Sequence, residues 1–469
     1  MRGPRAPGIR WEWDESTKLP GVLSPSLLLV PLLFATAPHP VELVFGGDVI
    51  PHGEVKEVAR LHARTGTVPP EGGVAPSLNN EGWDHIFGPI ADVLRTADVG
   101  VLNLETPVTD NKKAVTRELL FNAPSAMARA LAASGVKVVS TGNNHARDQL
   151  PAGLVETLRH LDAAGIRHTG TGATKDAAWE PVFVEARGMK VGFLSFTRWL
   201  NGFSNPKEGA APHVAFVPYP VHRFHRGLTT EEAVEKVREV AGTCDALVVL
   251  VHWGTEYSDT PHPDDRKLGR EMLEAGALAV VGHHPHVLQP LEGYSTADGR
   301  RGLIAYSLGN LVANQDRFYS HSEKGKGKAG DKRDSMLLRV TLLRPAPGGK
   351  VMLGDVAVLP VWIENNAVGR RRKEARNIQP VLIDREVEAV TERLEALAAR
   401  EGALDKEGKV EKGQLERRLA GSQLRRERIL RMLPAGFLVA SSELRQRTAV
   451  GPVGPVPAPE SGAAAQAAP

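Results

Sequence analysis

The side chains able to hold metal ions fall in a few short clusters: Asp48, Glu105, Asn143-Asn144-His145, His252, and Gly282-His283-His284-Pro285-His286. Carboxylate and amide oxygens combined with imidazole nitrogens form a mixed donor set suited to Mn, Fe or Zn. The number of donors points to two divalent ions. Such a pair, about 4 Å apart, lowers the pKa of a bound water and clamps the charge that develops on a phosphoryl-like group. The strongest cluster is 282–286, where three histidines occupy four positions behind a glycine and around a proline, an arrangement that packing does not require. The other members have plainer readings beside the functional one. Asp48 alone suits a turn or a helix cap, Glu105 a satisfied loop carboxylate, and Asn144-His145 the start of a helix. His52 reads either as support for the site or as a surface loop histidine. His252 at a buried strand end is harder to explain without function, because an imidazole there needs a polar neighbour.

What must position these residues is a series of short Val-, Ile- and Leu-rich runs. Residues 41–45, 99–104, 136–140, 190–196, 246–251, 277–281 and 303–306 read as strands alternating with helical patterns, which predicts an α/β fold with strands buried on both faces. Nearly every donor cluster directly follows one of these strands, the last being Ser307 to Asn310. In α/β architectures the carboxyl ends of neighbouring strands converge on one crevice, so residues remote in sequence meet there. Helices are expected at 151–164, with Leu154, Leu158 and Leu161 on one stripe, at 230–241 with Val234, Val237 and Val240 inward, and at 264–275 behind Pro263. Further on, 321–334 reads as a solvated Gly/Lys-rich loop, and 336–343 and 351–361 as returning strands. Charged helices are expected at 385–400 and 414–433, packing through Val387, Val390, Leu394 and Leu397. The basic run Arg370 to Lys373 reads as a solvated turn, with an anionic polymer as the alternative contact.

The chain has 469 residues, 42% hydrophobic and 24% charged, which suits one large core with additions. A net charge of +3 leaves no overall nucleic-acid footprint. The single cysteine, Cys244, excludes an internal disulfide framework and a Cys-based zinc site. Arg2, Arg5 and Arg10, an apolar run at 27–34 and Ala35-Thr36-Ala37 follow the order of a secretory signal, so export is expected: periplasmic, extracellular, or membrane-associated through an uncleaved leader. Asp14, Glu15 and Pro31 fit that order poorly and keep a cytoplasmic leader as the rival. No later apolar run approaches the roughly 20 residues needed to span a bilayer.

Taken in chain order, Gly47-Asp48, Asn103-Leu104-Glu105, Asn143-Asn144-His145-Ala146 with Asp148, His252-Trp253-Gly254 with Glu256 and Tyr257, Gly282-His283-His284-Pro285-His286 and Tyr306-Ser307-Leu308-Gly309-Asn310 resemble the CapA family. That family comprises capsule and poly-γ-glutamate biosynthesis proteins related to calcineurin-like metallophosphoesterases, and the resemblance covers roughly residues 41–312. It implies a calcineurin-like metallophosphoesterase fold, layered β-sheets flanked by helices, in a domain at 39–380. A leader at 1–38 precedes it; a charged helical appendage at 381–448 and a disordered Pro/Ala-rich tail at 449–469 follow. By the same resemblance Asp48 and His286 bind a first metal, Glu105 bridges, and Asn144, His252 and His284 bind a second. His145 is the catalytic imidazole facing substrate, and Asn143, Glu256, His283 and Asn310 line the crevice. Two departures stand out. Metallophosphoesterases begin Asp-x-His, whereas Asp48 is followed by Val49 and Ile50, and Glu105 stands where they use Asp. The implied function is a metal-dependent hydrolase acting on poly-γ-glutamate or another capsular polymer. The alternatives are a non-catalytic subunit of a capsule synthase or export complex that binds the polymer, and a phosphatase of small phosphoesters.

Overall fold

A computed structural model describes residues 40–65, 80–111, 119–220, 226–319, 330–368, 375–399, 404–432 and 438–439. The leader at 1–38, most of the loop at 321–334, the basic run at 370–373 and the tail at 449–469 lie outside the described residues. From the amino end the chain forms β1 (Val41–Val49), α1 (Gly53–Thr65), α2 (Trp83–Thr96), β2 (Val99–Leu104), α3 (Ser125–Ala133), β3 (Val136–Ser140), α4 (Leu150–Ala163), β4 (Arg167–Thr169), β5 (Thr171–Gly172), α5 (Lys175–Ala178), β6 (Val182–Ala186), β7 (Met189–Thr197) and β8 (His213–Val214). It continues through α6 (Thr230–Ala241), β9 (Ala246–His252), α7 (Pro263–Glu274), β10 (Ala279–His283), β11 (Leu291–Ser295), β12 (Arg301–Ala305), β13 (Asn310–Val312), β14 (Asp334–Leu343), β15 (Met352–Asn365), β16 (Ile378–Leu382), α8 (Ile383–Ala398), α9 (Lys406–Leu430) and β17 (Leu438–Val439).

Two sheets carry the fold. The larger runs β16-β15-β14-β1-β2-β3-β4, with β13 also on β1 and β17 on β15; the smaller runs β11-β12-β10-β9-β7-β6. Period-two alternation within each strand builds the layers. Val41, Leu43 and Phe45 of β1 meet Val191 and Phe193 of β7, Val248 and Leu250 of β9, and Val281 of β10 in a core between the sheets. Val44 faces the other way, into a second core with α1, α2 and α3. Leu247, Val249 and Val251 of β9 likewise face α6 and α7 in a third. The result is helix, sheet, sheet, helix: the layered α/β arrangement the sequence predicts, with strands apolar on both faces because both faces are covered.

The expected elements form with small shifts that have local causes. β1 continues past residue 45, so Asp48 lies within the strand rather than after it. Gly46 and Gly47 form an irregularity in the β1–β2 pairing and the ladder resumes at Asp48. A Cβ on Gly47 would lie 2.0 Å from the Gly309 carbonyl oxygen, so only glycine lets the two segments approach. The helix at 230–241 is capped by Thr229, whose hydroxyl accepts from Glu232 N while Glu232 closes the capping box. α9 begins at Lys406, two turns before the expected Gln414, behind the cap of Asp405; its first turns are charged and offer only the exposed Val410 as an apolar signal.

The carboxyl-terminal helices pack onto the larger sheet. Ile383 of α8 and Ile429 of α9 enter the core between the sheets, and Val390 and Leu397 are buried. Arg425 of α9 is 1% exposed and donates to Asp331 and Asp334, both at 3.1 Å, with its guanidinium 4.5 Å from the Tyr319 ring. Removing one partner of a buried ion pair leaves the other charge uncompensated. We therefore expect Arg425→Ala to destabilise the fold by about 3–5 kcal/mol, measured by urea unfolding, whereas the exposed Arg431→Ala changes it by less than about 1 kcal/mol. Equal effects of the two substitutions would refute the role assigned to Arg425.

Candidate metal centre

Parallel strands of both sheets end at one edge, and the donor residues sit on those ends. Asp48 is the last residue but one of β1, Asn103 and Glu105 lie at the end of β2, and Asn143 to His145 follow β3. From the smaller sheet, His252 and His283 are the last residues of β9 and β10 and stand opposite each other in register. His284 and His286 follow in a turn where both have positive φ, 99° and 58°. Non-glycine residues hold such angles only where surrounding contacts over-determine them, a pattern concentrated at functional sites. Gly282 introduces the turn because a Cβ there would lie 2.1 Å from the Tyr306 carbonyl oxygen and 2.4 Å from Trp253 Nε1.

Glu105 is the centre of the arrangement. Its Oε1 lies 3.5 Å from His252 Nε2, 3.9 Å from His286 Nε2 and 4.0 Å from His145 Nε2. Asp48 Oδ2 accepts from the His284 amide at 3.2 Å and lies 3.3 Å from His286 Nδ1, while Oδ1 accepts from Asn103 Nδ2 at 2.8 Å. Asn144 Oδ1 lies 2.8 Å from His252 Nε2. Two groups of three donors result, Asp48–Glu105–His252 and Glu105–His284–His286, each with its ligand atoms within 4.8 Å of one another and with Glu105 in common.

The electrostatics suit cations. Burial raises the Glu105 carboxyl well above its ordinary range, and the negative charge of Asp48 beside it adds to the effect. Burial also acts to raise Asp48, but the hydrogen bond to His286 and the charges of His283 and His286 outweigh it and hold that carboxyl low. Burial pushes His284 down to about 3 and His252 far below its usual value, so both imidazoles are neutral, the form that ligates metal. Glu105 Oε1 and His284 Nδ1 are buried with no hydrogen-bond partner. Buried polar atoms are nearly always satisfied, and oxygen and nitrogen donors that converge with no hydrogen bond to satisfy them fit a divalent cation.

His145 differs from the ligands. Its Nδ1 lies 2.8 Å from Asp148 Oδ2, a carboxylate acceptor that fixes the ring proton on Nδ1 and leaves Nε2 turned toward Glu105. The Phe121 ring packs 4.3 Å from it. Asn143 has a positioning role, holding the loop by donating to Leu104 O and accepting from the His145 amide. Asn310 donates to His286 O and Lys332 O, and so braces the histidine turn from beneath. His283 Nε2 meets Gly46 O at 3.3 Å. Glu256 is exposed at the rim, beside Tyr257, whose ring lies 6.0 Å from His286. His52 packs edge-on against Phe121 at 5.2 Å, in the wall of a groove of about 930 Å³ that also takes in Lys56, Phe121 and Tyr257.

Two contributors carry no assigned role in the sequence, where Asn103 stands only as part of the Asn103-Leu104-Glu105 motif. Asn103 touches Asp48, Glu105 and His252 at once and accepts from Asn143. Its position two residues before Glu105, hence on the same strand face, was the available signal. Asn201 accepts from Asn144 Nδ2 at 3.0 Å and reaches His145 Nε2 at 3.5 Å from a loop after β7 that carries no motif.

Fold and site together define a layered α/β protein with a buried carboxylate, amide and imidazole centre whose donor atoms could hold a metal ion. The family profile for bacterial capsule synthesis protein PGA_cap matches residues 42–315, more than half of the chain and all of the centre's residues, and the chain belongs to that family. It is 32% identical over 243 residues to the PGA biosynthesis protein CapA of Bacillus subtilis (strain 168), covering 50% of this chain and 58% of the relative. It is 29% identical over 243 residues to the capsule biosynthesis protein CapA of Bacillus anthracis, covering 51% and 56%. The match thus spans a little over half the length of each Bacillus relative. A solved structure of a hypothetical protein from Thermus thermophilus aligns with 68% of this chain and 98% of its own at a TM-score of 0.36 and 15% identity.

Proposed function

We propose that this protein is a metal-dependent hydrolase of the calcineurin-like kind that acts in the biosynthesis or processing of poly-γ-glutamate or a related anionic capsular polymer. The observation that carries the reading is the pair of donor triads sharing Glu105. Asp48, Glu105 and His252, with Asn144 beside His252, would hold one divalent cation, and Glu105, His284 and His286 the other. When bound, two such ions supply Lewis acidity that activates water and neutralises charge developing on an ester, phosphoester or amide. The chain's own groups do the rest. His145 presents Nε2 to the reacting atoms; with Nδ1–H held by Asp148, Nε2 would take up a proton from the attacking water and, as the imidazolium, pass it to a leaving group. Asn201 steadies the same nitrogen, and Phe121 and Tyr257 wall the centre from solvent. No helix among the described residues is long and apolar enough to cross a membrane. The reading places the protein outside the cytoplasm, beside a synthase or export complex, where such a polymer is met.

A second reading, a non-catalytic polymer-binding subunit, is favoured by Ile50. It stands where metallophosphoesterases place a further imidazole, and at 1% exposure it is a core residue that donates nothing. The two readings separate on metal content and activity. Elemental analysis should find near two ions per chain in the wild type. In His284→Ala we expect one ion or fewer, together with loss of activity on a generic phosphodiester and on poly-γ-glutamate. Wild-type protein that takes up no stoichiometric metal after supplementation would leave the polymer-binding subunit as the surviving account.

A further inference from the structure

A second pocket, of about 310 Å³, lies between α5 and the segment that follows β7 and shares no lining residue with the donor cluster. Lys175, Lys207, His213 and Arg226 line it together with Trp179 and Asn205, and no carboxylate is in its wall among the described residues. The contacts its basic groups make are with main-chain oxygens: Arg226 Nη1 donates to Asn205 O at 3.0 Å, and His213 Nδ1 lies 2.6 Å from Ala211 O. The wall is built rather than incidental. Asn205 is buried and ties three segments together, donating to Val214 O and Arg226 O and accepting from Val214 N. The Lys175 amide donates to Gly209 O at 2.7 Å, and Trp179 is buried on its far side against Phe196. Lys175, Lys207 and Arg226 are exposed, and three cations around one concavity give it a positive potential that attracts an anion.

The pocket is also joined to the metal centre. Val214 and Phe216 of its wall belong to a small apolar cluster with Leu200 and Ala146, and Ala146 follows His145 in the chain. A chain of carboxylates gripped in the pocket would lie across this apolar cluster from the loop that carries His145. We infer that this pocket is a second, non-catalytic binding site for a carboxylate-bearing stretch of the polymer. Its anion preference stands on the pocket alone; the choice of a polycarboxylate rests on the function proposed above.

The test is calorimetric titration of the full chain with a γ-linked glutamate decamer, with inorganic phosphate run in parallel. Lys175→Glu/Lys207→Glu should weaken decamer binding at least tenfold, and Lys175→Gln and Lys207→Gln should each weaken it severalfold with folding intact. Metal content and turnover of a small phosphodiester should stay at wild-type values in all of these variants. Unchanged decamer affinity in the variants overturns the inference, as does phosphate binding as tightly as the decamer. Loss of decamer binding in a protein that proves to hold no metal would support the pocket while ending the hydrolase reading, so the two fail separately.

Discussion

Glu105→Gln should remove metal and at the same time make the metal-free protein more stable. The carboxylate has no solvent exposure, its Oε1 has no hydrogen-bond partner, and it sits beside the ionised Asp48, so burial and repulsion both act against its charge. Gln keeps the shape and drops the charge. The gain in the metal-free fold would appear as a higher melting temperature. The sign of the pH dependence follows. A carboxyl whose folded pKa is raised binds its proton in the folded state where the unfolded chain has lost it. Its contribution is therefore full below the ordinary value of 4.5 and is lost as pH rises above it toward the raised folded value. Metal-free wild type should lose stability across that window, and the Gln variant should lose less. Since both donor triads contain Glu105, metal content should fall by more than one ion per chain and activity by at least about a hundredfold. A variant that keeps two ions, or whose metal-free form melts below wild type, would show that Glu105 is not the shared ligand.

The second large effect is expected at His145, where activity and metal content should part company. His145→Gln removes the imidazole without touching a member of either triad, so near two ions should remain while kcat falls by about 10²–10⁴. Asp148→Asn probes the same group through its tautomer. An amide in place of Asp148 can donate to Nδ1, which would put the ring proton on Nε2 and reverse the group's polarity toward substrate. Asp148 Oδ2 also accepts from the Phe121 amide at 2.7 Å, so this variant should raise KM as well as lower kcat, where His145→Gln lowers kcat alone. Metal loss in His145→Gln would reassign that residue as a ligand. Unchanged activity in a protein with full metal would instead dismiss the catalytic imidazole and favour a brace for polymer binding.

How much of this was legible in the sequence depends on the range of the interaction involved. The central strands announced themselves because both faces of each are covered by another layer, leaving runs such as Ala246 to His252 apolar throughout, whereas the edge strands β6, β11 and β16 are only partly buried and gave no such run. α4, α6 and α7 were readable from stripe and stop, but α1, α2 and α3 were not, since Pro89 interrupts α2 and the short α3 is built largely of alanine, which marks no face. The donor residues were legible because each sits at a strand end, a place defined by local sequence. The order of their motifs was enough to suggest the family to which the chain belongs.

Chain order alone could not settle which donors meet. The centre joins strand ends from two sheets, and only the packing of β1 against β9 and β10 across the core between them brings Glu105 to within 3.5 Å of His252. Asn103 becomes a hub for the same reason: its amide reaches His252, 149 positions away. Asn201 and the pocket around Asn205 have no local signature, because what makes them is loop geometry and not residue periodicity. The sequence by itself determined the layered α/β class and the inventory of ligands, since burial pattern and residue chemistry are written position by position. The tertiary structure decided the sharing of Glu105, the orientation of His145 and the cationic pocket, because each depends on distances between segments that no spacing along the chain encodes.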